Sequence, residues 1–276
     1  MLWKVADFSG VEVTTYCVMS NHFHILVRVP PADTEVSDAE LMRRYAVLYP
    51  EGAKYAPMPL SSVTFILSEG GEAAEVLRAS LLKRMHDVSE FMRTLKLRFS
   101  LWYNRTHETY GALWSSRFHA VLVEGVPRVV QAVAAYVDLN PVRAGLVEDP
   151  KDYRFCGYAE AVAGAAAARR GICAWMGVGA DSDAARMADY RCLLFATGAK
   201  ARAGRAGIPE AVARRVLQNE EGEVSQYGQL SCKLRYMTMG MVIGSEDFVR
   251  SFFGEKRRKP AVYHGGVSLY TLIKPR

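Results

Sequence analysis

The stretch VTTYCVMSNHFHILVRV, residues 13–29, sets His22 and His24 into a run that is otherwise mostly apolar or β-branched. Such residues on either side of Ser20-Asn21 read as two strands, residues 11–19 and 23–29, joined by a tight turn. Pro30-Pro31 ends the second strand, because proline cannot donate to a central ladder. Side chains two apart on a strand share a face, so His22 and His24 can converge on one ion. The plainer reading is a pair of core histidines, each satisfied by a backbone carbonyl. Two imidazoles suit Mn, Zn, Ni, Fe or Cu, and also Mg where oxygen ligands complete the shell. Two ligands alone make a poor site, so a third has to come from elsewhere in the chain.

A helix over residues 127–139 supplies candidates. Pro127 suits its first turn and Pro141 forbids its continuation. Tyr136 and Asn140 are spaced i, i+4 and share a helical face if the last turn persists. Asn140 can offer its amide oxygen as a third ligand. A phenol, with a free pKa of about 10, is a weak nucleophile without activation. A metal that polarises a phosphodiester makes attack by Tyr136 plausible. Taken singly, Tyr136 is one of 14 tyrosines and Asn140 an ordinary helix-stop residue. Only the constellation points to chemistry.

Elsewhere the pattern is mixed. Residues 1–10 read as the end of an amphipathic helix closed by Gly10. A short helical pattern covers residues 38–48, and an apolar run lies at 63–67. From 79 to 106 apolar residues recur at spacings of three and four, which predicts one long amphipathic helix. It carries Lys83, Arg84, Arg93, Lys96, Arg98 and Arg105 against Asp87 and Glu90, an excess that suits phosphate contact as well as a solvated face. Residues 111–124 read as a third strand. An Ala-rich stretch, Ala159 to Arg169, reads as a helix or a linker, and helical patterns return at 209–218 and 245–253, the latter with Ser245 as N-cap. The domains expected are residues 1–160, an Ala-rich linker region at 161–205, and a mainly helical C-terminal extension at 206–276, with a role in DNA binding open to it.

The formal charge of +6 favours a polyanionic partner without specifying one. The five cysteines, at 17, 156, 173, 192 and 232, show no CxxC spacing and read as free thiols in a reducing compartment, with no zinc site. No apolar run approaches the roughly 20 residues that span a bilayer, and no secretory signal opens the chain. A cytoplasmic, nucleoid-associated protein without a membrane partner is the expectation.

Two blocks carry a resemblance: Met19-Ser-Asn-His22-Phe-His24-Ile-Leu-Val27, and Ala135-Tyr136-Val-Asp-Leu-Asn140-Pro141-Val-Arg143-Ala-Gly-Leu146-Val. Together they resemble the HUH single-tyrosine transposases, and among them the branch called REP-associated tyrosine transposases. Tyr103-Asn-Arg-Thr-His107, Gly111-Ala-Leu-Trp114-Ser-Ser-Arg117-Phe118 and Asp152-Tyr153-Arg-Phe155 agree in order, so the likeness covers about residues 1–160. A fainter likeness to longer members lies at Arg235-Tyr236 and Gly240–Val249.

The resemblance implies an α+β fold, a ferredoxin-like antiparallel sheet with helices packed on it. It implies a divalent metal, Mg or Mn, on His22, His24 and Asn140. Tyr136 falls on the family nucleophile, which attacks single-stranded DNA, forms a 5′-phosphotyrosine link and frees a 3′-OH. Members act on palindromic repeats that fold as hairpins, which a basic surface with aromatic residues would grip through charge and stacking. Arg98, Arg117, Arg143 and Lys96 are candidates for DNA contact, each also readable as an ordinary surface charge. The family domain begins with a strand and a full helix, and this chain opens inside that helix. The first strand is therefore expected to be absent, leaving the HxH strand an unpaired edge. Either the start has been lost, or the copy is degenerate, or something else fills the gap. A lost start fits better than decay, because the residues matching the family's catalytic set survive.

Two other readings remain: a DNA-hairpin-binding protein without catalysis, which would be a truncated or degenerate copy, and an unrelated metallohydrolase that uses the HxH pair on small phosphoesters. Nothing in the residues chooses between monomer and homodimer.

Overall fold

Among the residues that this computed structural model describes (1–31, 36–176, 182–199, 206–219, 242–255 and 267–273), the chain is a mixed α+β protein. It divides into two compact units. One is built from residues 1–12 and 28–114, the other from residues 13–27 and most of the chain after 114.

The first unit is helical: α1 (Leu2–Ser9), α2 (Asp38–Leu48), α3 (Leu60–Glu69), α4 (Gly71–Leu82) and α5 (Val88–Thr106). Helix α1 ends where expected, at Gly10 with φ 63°, a left-handed turn that glycine adopts without steric cost. A β-carbon there would also lie 2.6 Å from the Arg44 guanidinium. Ser37 caps α2 by accepting from the Glu40 N–H at 3.3 Å. Arg78 of α4 forks onto Asp38 at 2.8 and 2.7 Å. The core holds Phe8, Tyr45, Leu48, Phe91 and Met92. The Arg84 guanidinium lies over the Phe8 ring at 4.7 Å and donates to the Tyr49 hydroxyl at 2.9 Å.

The single helix expected over 79–106 is two. Helix α4 stops at Leu82, His86 turns the chain at φ 52°, and the Asp87 carboxylate caps α5 by accepting from the Glu90 N–H at 2.8 Å. An aspartate three residues before a glutamate is a start signal, and the apolar spacing ran straight through it.

The second unit contains the sheet. Strands β1 (Glu12–Val18) and β2 (His22–Arg28) form the expected pair, with the Met19 N–H donating to the His22 carbonyl at 2.8 Å. Strand β3 is His119–Val123, shorter than the 111–124 expected. Two more strands come from the C-terminal region: β4 (Val242–Ile243) and β5 (Val267–Ile273). The order across the sheet is β1-β2-β5-β3-β4. Strand β5 runs antiparallel to β3, with Val121 opposite Leu269, and β4 runs parallel to β3. This corrects the expectation that β2 has an unpaired edge: β5, from the far end of the chain, occupies the place beside it.

The outer edge of β1 is covered as well. The Val18 N–H donates to the Phe155 carbonyl at 2.9 Å, the Tyr153 hydroxyl donates to the Val18 carbonyl at 2.8 Å, and the backbones of Cys17 and Cys156 pair in an isolated antiparallel β-bridge. Helices α6 (Pro127–Asp138), α7 (Asn140–Arg143), α8 (Gly157–Val162), α9 (Ala166–Cys173), α10 (Asp183–Gly198), α11 (Glu210–Asn219) and α12 (Glu246–Glu255) complete the unit. Residues 161–205, expected to be a linker region, therefore contain all of α9 and α10, and Tyr190, Leu194 and Phe195 of α10 are buried. The region expected to be mainly helical after residue 206 adds two strands to its helices. Ser245 caps α12 as anticipated, accepting from the Phe248 N–H at 3.3 Å. Cys17, Cys156, Cys173 and Cys192 are free and buried. Cys232, Arg235, Tyr236 and Gly240 lie outside the described residues. No described helix is long and apolar enough to cross a membrane.

Candidate active site

Four residues of the second unit meet in a chain of ring contacts. The imidazoles of His22 and His24 stand edge to face with centroids 5.0 Å apart, as residues two apart on one strand should. The Tyr136 ring of α6 stands edge to face with His24 at 5.8 Å. The Arg143 guanidinium of α7 covers the Tyr136 ring at 5.1 Å. Tyr136 is buried, and His24 is only 3% exposed.

The electrostatics keep both imidazoles neutral. Burial holds His24 down to about 3, helped by the neighbouring charge of His22, and burial also lowers His22. A neutral imidazole is the form that can donate a lone pair to a metal. His22 Nδ1 lies 2.7 Å from Asn21 Oδ1. A carbonyl oxygen only accepts, so Nδ1 carries the proton and Nε2 keeps its lone pair.

Asn140 has a structural task and an open atom. The Val137 carbonyl would receive its helical hydrogen bond from residue 141, which is proline and has no N–H. Asn140 Nδ2 replaces that donor at 3.1 Å and also reaches the Tyr136 carbonyl at 3.0 Å. With the amide nitrogen so engaged, Oδ1 is the atom left to accept or to coordinate. Asn140 is 9% exposed. Two neutral imidazoles and one amide oxygen would make a mixed nitrogen and oxygen donor set, which by its chemistry fits Mn and, with further oxygens, Mg. Among the described residues no three His, Cys, Asp or Glu side chains cluster for a metal.

The other candidates for DNA contact have surroundings of their own. Lys96 and Arg98 belong to α5 in the first unit. Lys96 lies over the Trp114 ring at 5.7 Å with its basicity lowered by burial, and Arg98 over the Tyr49 ring at 5.3 Å. Arg117 is exposed before β3. Of the candidates in the second unit, Arg143 is the one whose guanidinium covers the Tyr136 ring.

Sequence reasoning gave no role to Asp138, which lies between Tyr136 and Asn140 in the chain. It is fully buried. Both its oxygens accept from Thr15 Oγ1 of β1 at 2.9 Å, the Tyr190 hydroxyl of α10 donates to it at 2.6 Å, and the Tyr158 N–H of α8 at 3.3 Å. Burial pushes its carboxyl up to about 7 against the pull of these donors. A carboxylate at an inward position of an otherwise apolar helix was the available signal. Tyr190 and Thr15 carry none in the sequence.

Comparison with protein-family models, curated proteins and solved structures finds no match.

Proposed function

We propose that the chain is a metal-dependent DNA strand-transfer enzyme of the single-tyrosine type, acting on single-stranded DNA that folds into hairpins. The observation that carries this reading is the approach of Tyr136 to the paired imidazoles, 5.8 Å between the Tyr136 and His24 rings, although the two residues come from different elements far apart in the chain. Two strand histidines alone are a common core feature. A tyrosine brought against them, with an arginine over its ring, is the set that phosphodiester attack requires.

His22 Nε2, His24 and Asn140 Oδ1 are the groups that would hold the divalent ion, Mg or Mn. Bound there, it would polarise the scissile phosphate as a Lewis acid. Tyr136 Oη attacks the phosphorus, and the bond from phosphorus to the 3′-oxygen breaks. The phenolic proton goes to that leaving oxygen, giving a 5′-phosphotyrosine and a free 3′-OH. Rejoining runs the same exchange backwards, so no high-energy cofactor is needed. Arg143 supplies positive charge beside the nucleophile, where the phosphate's negative charge must be met.

The test is a cleavage assay with the purified chain, a hairpin oligonucleotide and Mg or Mn. A covalent protein–DNA adduct is expected, lost with a chelator and lost in Tyr136→Phe while DNA binding persists. An undiminished adduct in Tyr136→Phe removes Tyr136 from this role. One observation favours a second reading, a hairpin-binding protein without catalysis: the histidine pair has no third His, Cys, Asp or Glu beside it among the described residues. That reading predicts salt-sensitive binding indifferent to chelator and no adduct.

A further inference from the structure

We infer that the C-terminal half of α5 and the turn after it form a stacking platform for unpaired DNA bases. This deepens the reading above, because it rests on single-stranded DNA being the partner, and it assigns the contact to a surface of the first unit.

The surface is aromatic but not interior. Phe99 is the hinge of the cluster, its ring 5.4 Å from Trp102 and 5.5 Å from Trp114. Tyr103 lies 4.2 Å from His107. In a small core these rings would be closed off together. Here Trp102 is 49% exposed and Tyr110 99% exposed, and His107 is exposed as well. Phe99 and Tyr103 are half-buried, and both pack against Trp102.

The presentation is rigid. Asn104 Nδ2 donates to the Gly111 carbonyl at 3.1 Å, its Oδ1 accepts from the Thr109 hydroxyl at 3.2 Å, and its carbonyl accepts from the Thr109 N–H at 2.9 Å. The Trp114 indole N–H donates to the Lys96 carbonyl at 3.2 Å, tying the far end of the turn back to α5. Aromatic rings held in this way lose little freedom when a flat ligand stacks on them.

The charge around the rings selects the occupant. Between Arg93 and Trp114 the chain carries Arg93, Lys96, Arg98 and Arg105 against the single acid Glu108. Lys96 lies over the Trp114 ring at 5.7 Å and Arg105 is exposed in the last turn of α5, so these two cations flank the platform. Exposed rings flanked by cations match a chain of bases and phosphates, and only unpaired bases offer their faces. A duplex would meet the cations and leave the rings unused.

The test is fluorescence anisotropy of labelled oligothymidine on the full chain, with chelator present and no divalent metal. An abasic oligonucleotide of the same length and a duplex are run beside it. Wild type is expected to bind oligothymidine about tenfold more tightly than the abasic strand, as stacking of one or two bases requires. Trp102→Ala and Tyr110→Ala should each lose several-fold on oligothymidine and little on the abasic strand, with Trp102→Phe retaining most of the affinity. Tyr110 is solvent-exposed, so its variant tests the surface even if Trp102→Ala fails to fold. Equal affinity for oligothymidine and the abasic strand, or alanine variants that bind as wild type does, would overturn the inference. The assay uses neither metal nor Tyr136. Binding with these properties and no adduct formation sinks strand transfer and leaves the platform standing; adduct formation without base-dependent binding does the reverse.

Discussion

Helix α6 carries two polar clusters within one turn, and they are built on opposite principles. Around Asp138 every donor has an acceptor: Thr15, Tyr190 and the Tyr158 N–H fill the carboxyl group, and all are buried. Such a cluster fixes α6 against β1, α8 and α10 and has no valence to spare. Around Tyr136 the contacts are ring against ring, and the atoms that the proposed chemistry needs keep their lone pairs: His22 Nε2, Asn140 Oδ1 and the phenol. A polar cluster complete within itself is architecture. One held in place by other atoms while such atoms stay open is a candidate site.

If that distinction is right, stability and activity separate along the helix. The largest loss of stability is expected at Asp138→Ala, about 3 kcal/mol or more in chemical denaturation, since three buried donors lose their acceptor. Gly171→Ala comes next. A β-carbon there falls 2.2 Å from the Val13 carbonyl and 2.7 Å from that of Thr14 on β1, so α9 must move off the strand. The expected cost is about 2 kcal/mol by thermal melting, although alanine is the better helix former. Tyr136→Phe should change stability by less than about 1 kcal/mol. A large loss there would make Tyr136 another structural group and erase the difference between the clusters.

The two clusters also titrate with opposite sign. Asp138 is raised to about 7 from an ordinary value near 3.8, so the folded chain binds the extra proton between those values. Its contribution is present below about pH 4 and is lost as pH rises towards 7. His24 is lowered to about 3 from 6.5, so the unfolded chain binds the extra proton there. Its contribution is present above about pH 6.5 and is lost as pH falls towards 3. Between pH 4 and 6.5 the slopes oppose each other. In Asp138→Asn stability measured by urea denaturation should rise with pH across that window, more steeply than in wild type. An unchanged slope would show that Asp138 does not titrate with folding.

The site was more legible than the scaffold that holds it. His22 and His24 announced themselves as polar residues two apart on an apolar strand, and Tyr136 and Asn140 by i, i+4 spacing before a proline. Short-range rules suffice for that. They also placed the caps at Gly10 and Ser245. The break at residues 83–87 was masked because apolar spacing continued across it. The place of β5 between β2 and β3 was not readable, since strand order depends on pairing between ends of the chain that carry no mutual signal. For the same reason Tyr190 could not be matched to Asp138. The close seating of α8 and α9 on β1 was not readable either: it rests on Gly157 and Gly171, where an added β-carbon would fall 2.3 Å from Thr15 Oγ1 and 2.2 Å from the Val13 carbonyl.

The central claim is that Tyr136 is the group that becomes joined to DNA. Peptide mass spectrometry of the chain after reaction with a hairpin oligonucleotide and Mn tests it directly. A nucleotide phosphate on the peptide containing Tyr136, attached through the phenol, is the expected result. Cleaved DNA with no protein-bound nucleotide, or a nucleotide on a different tyrosine, would contradict it.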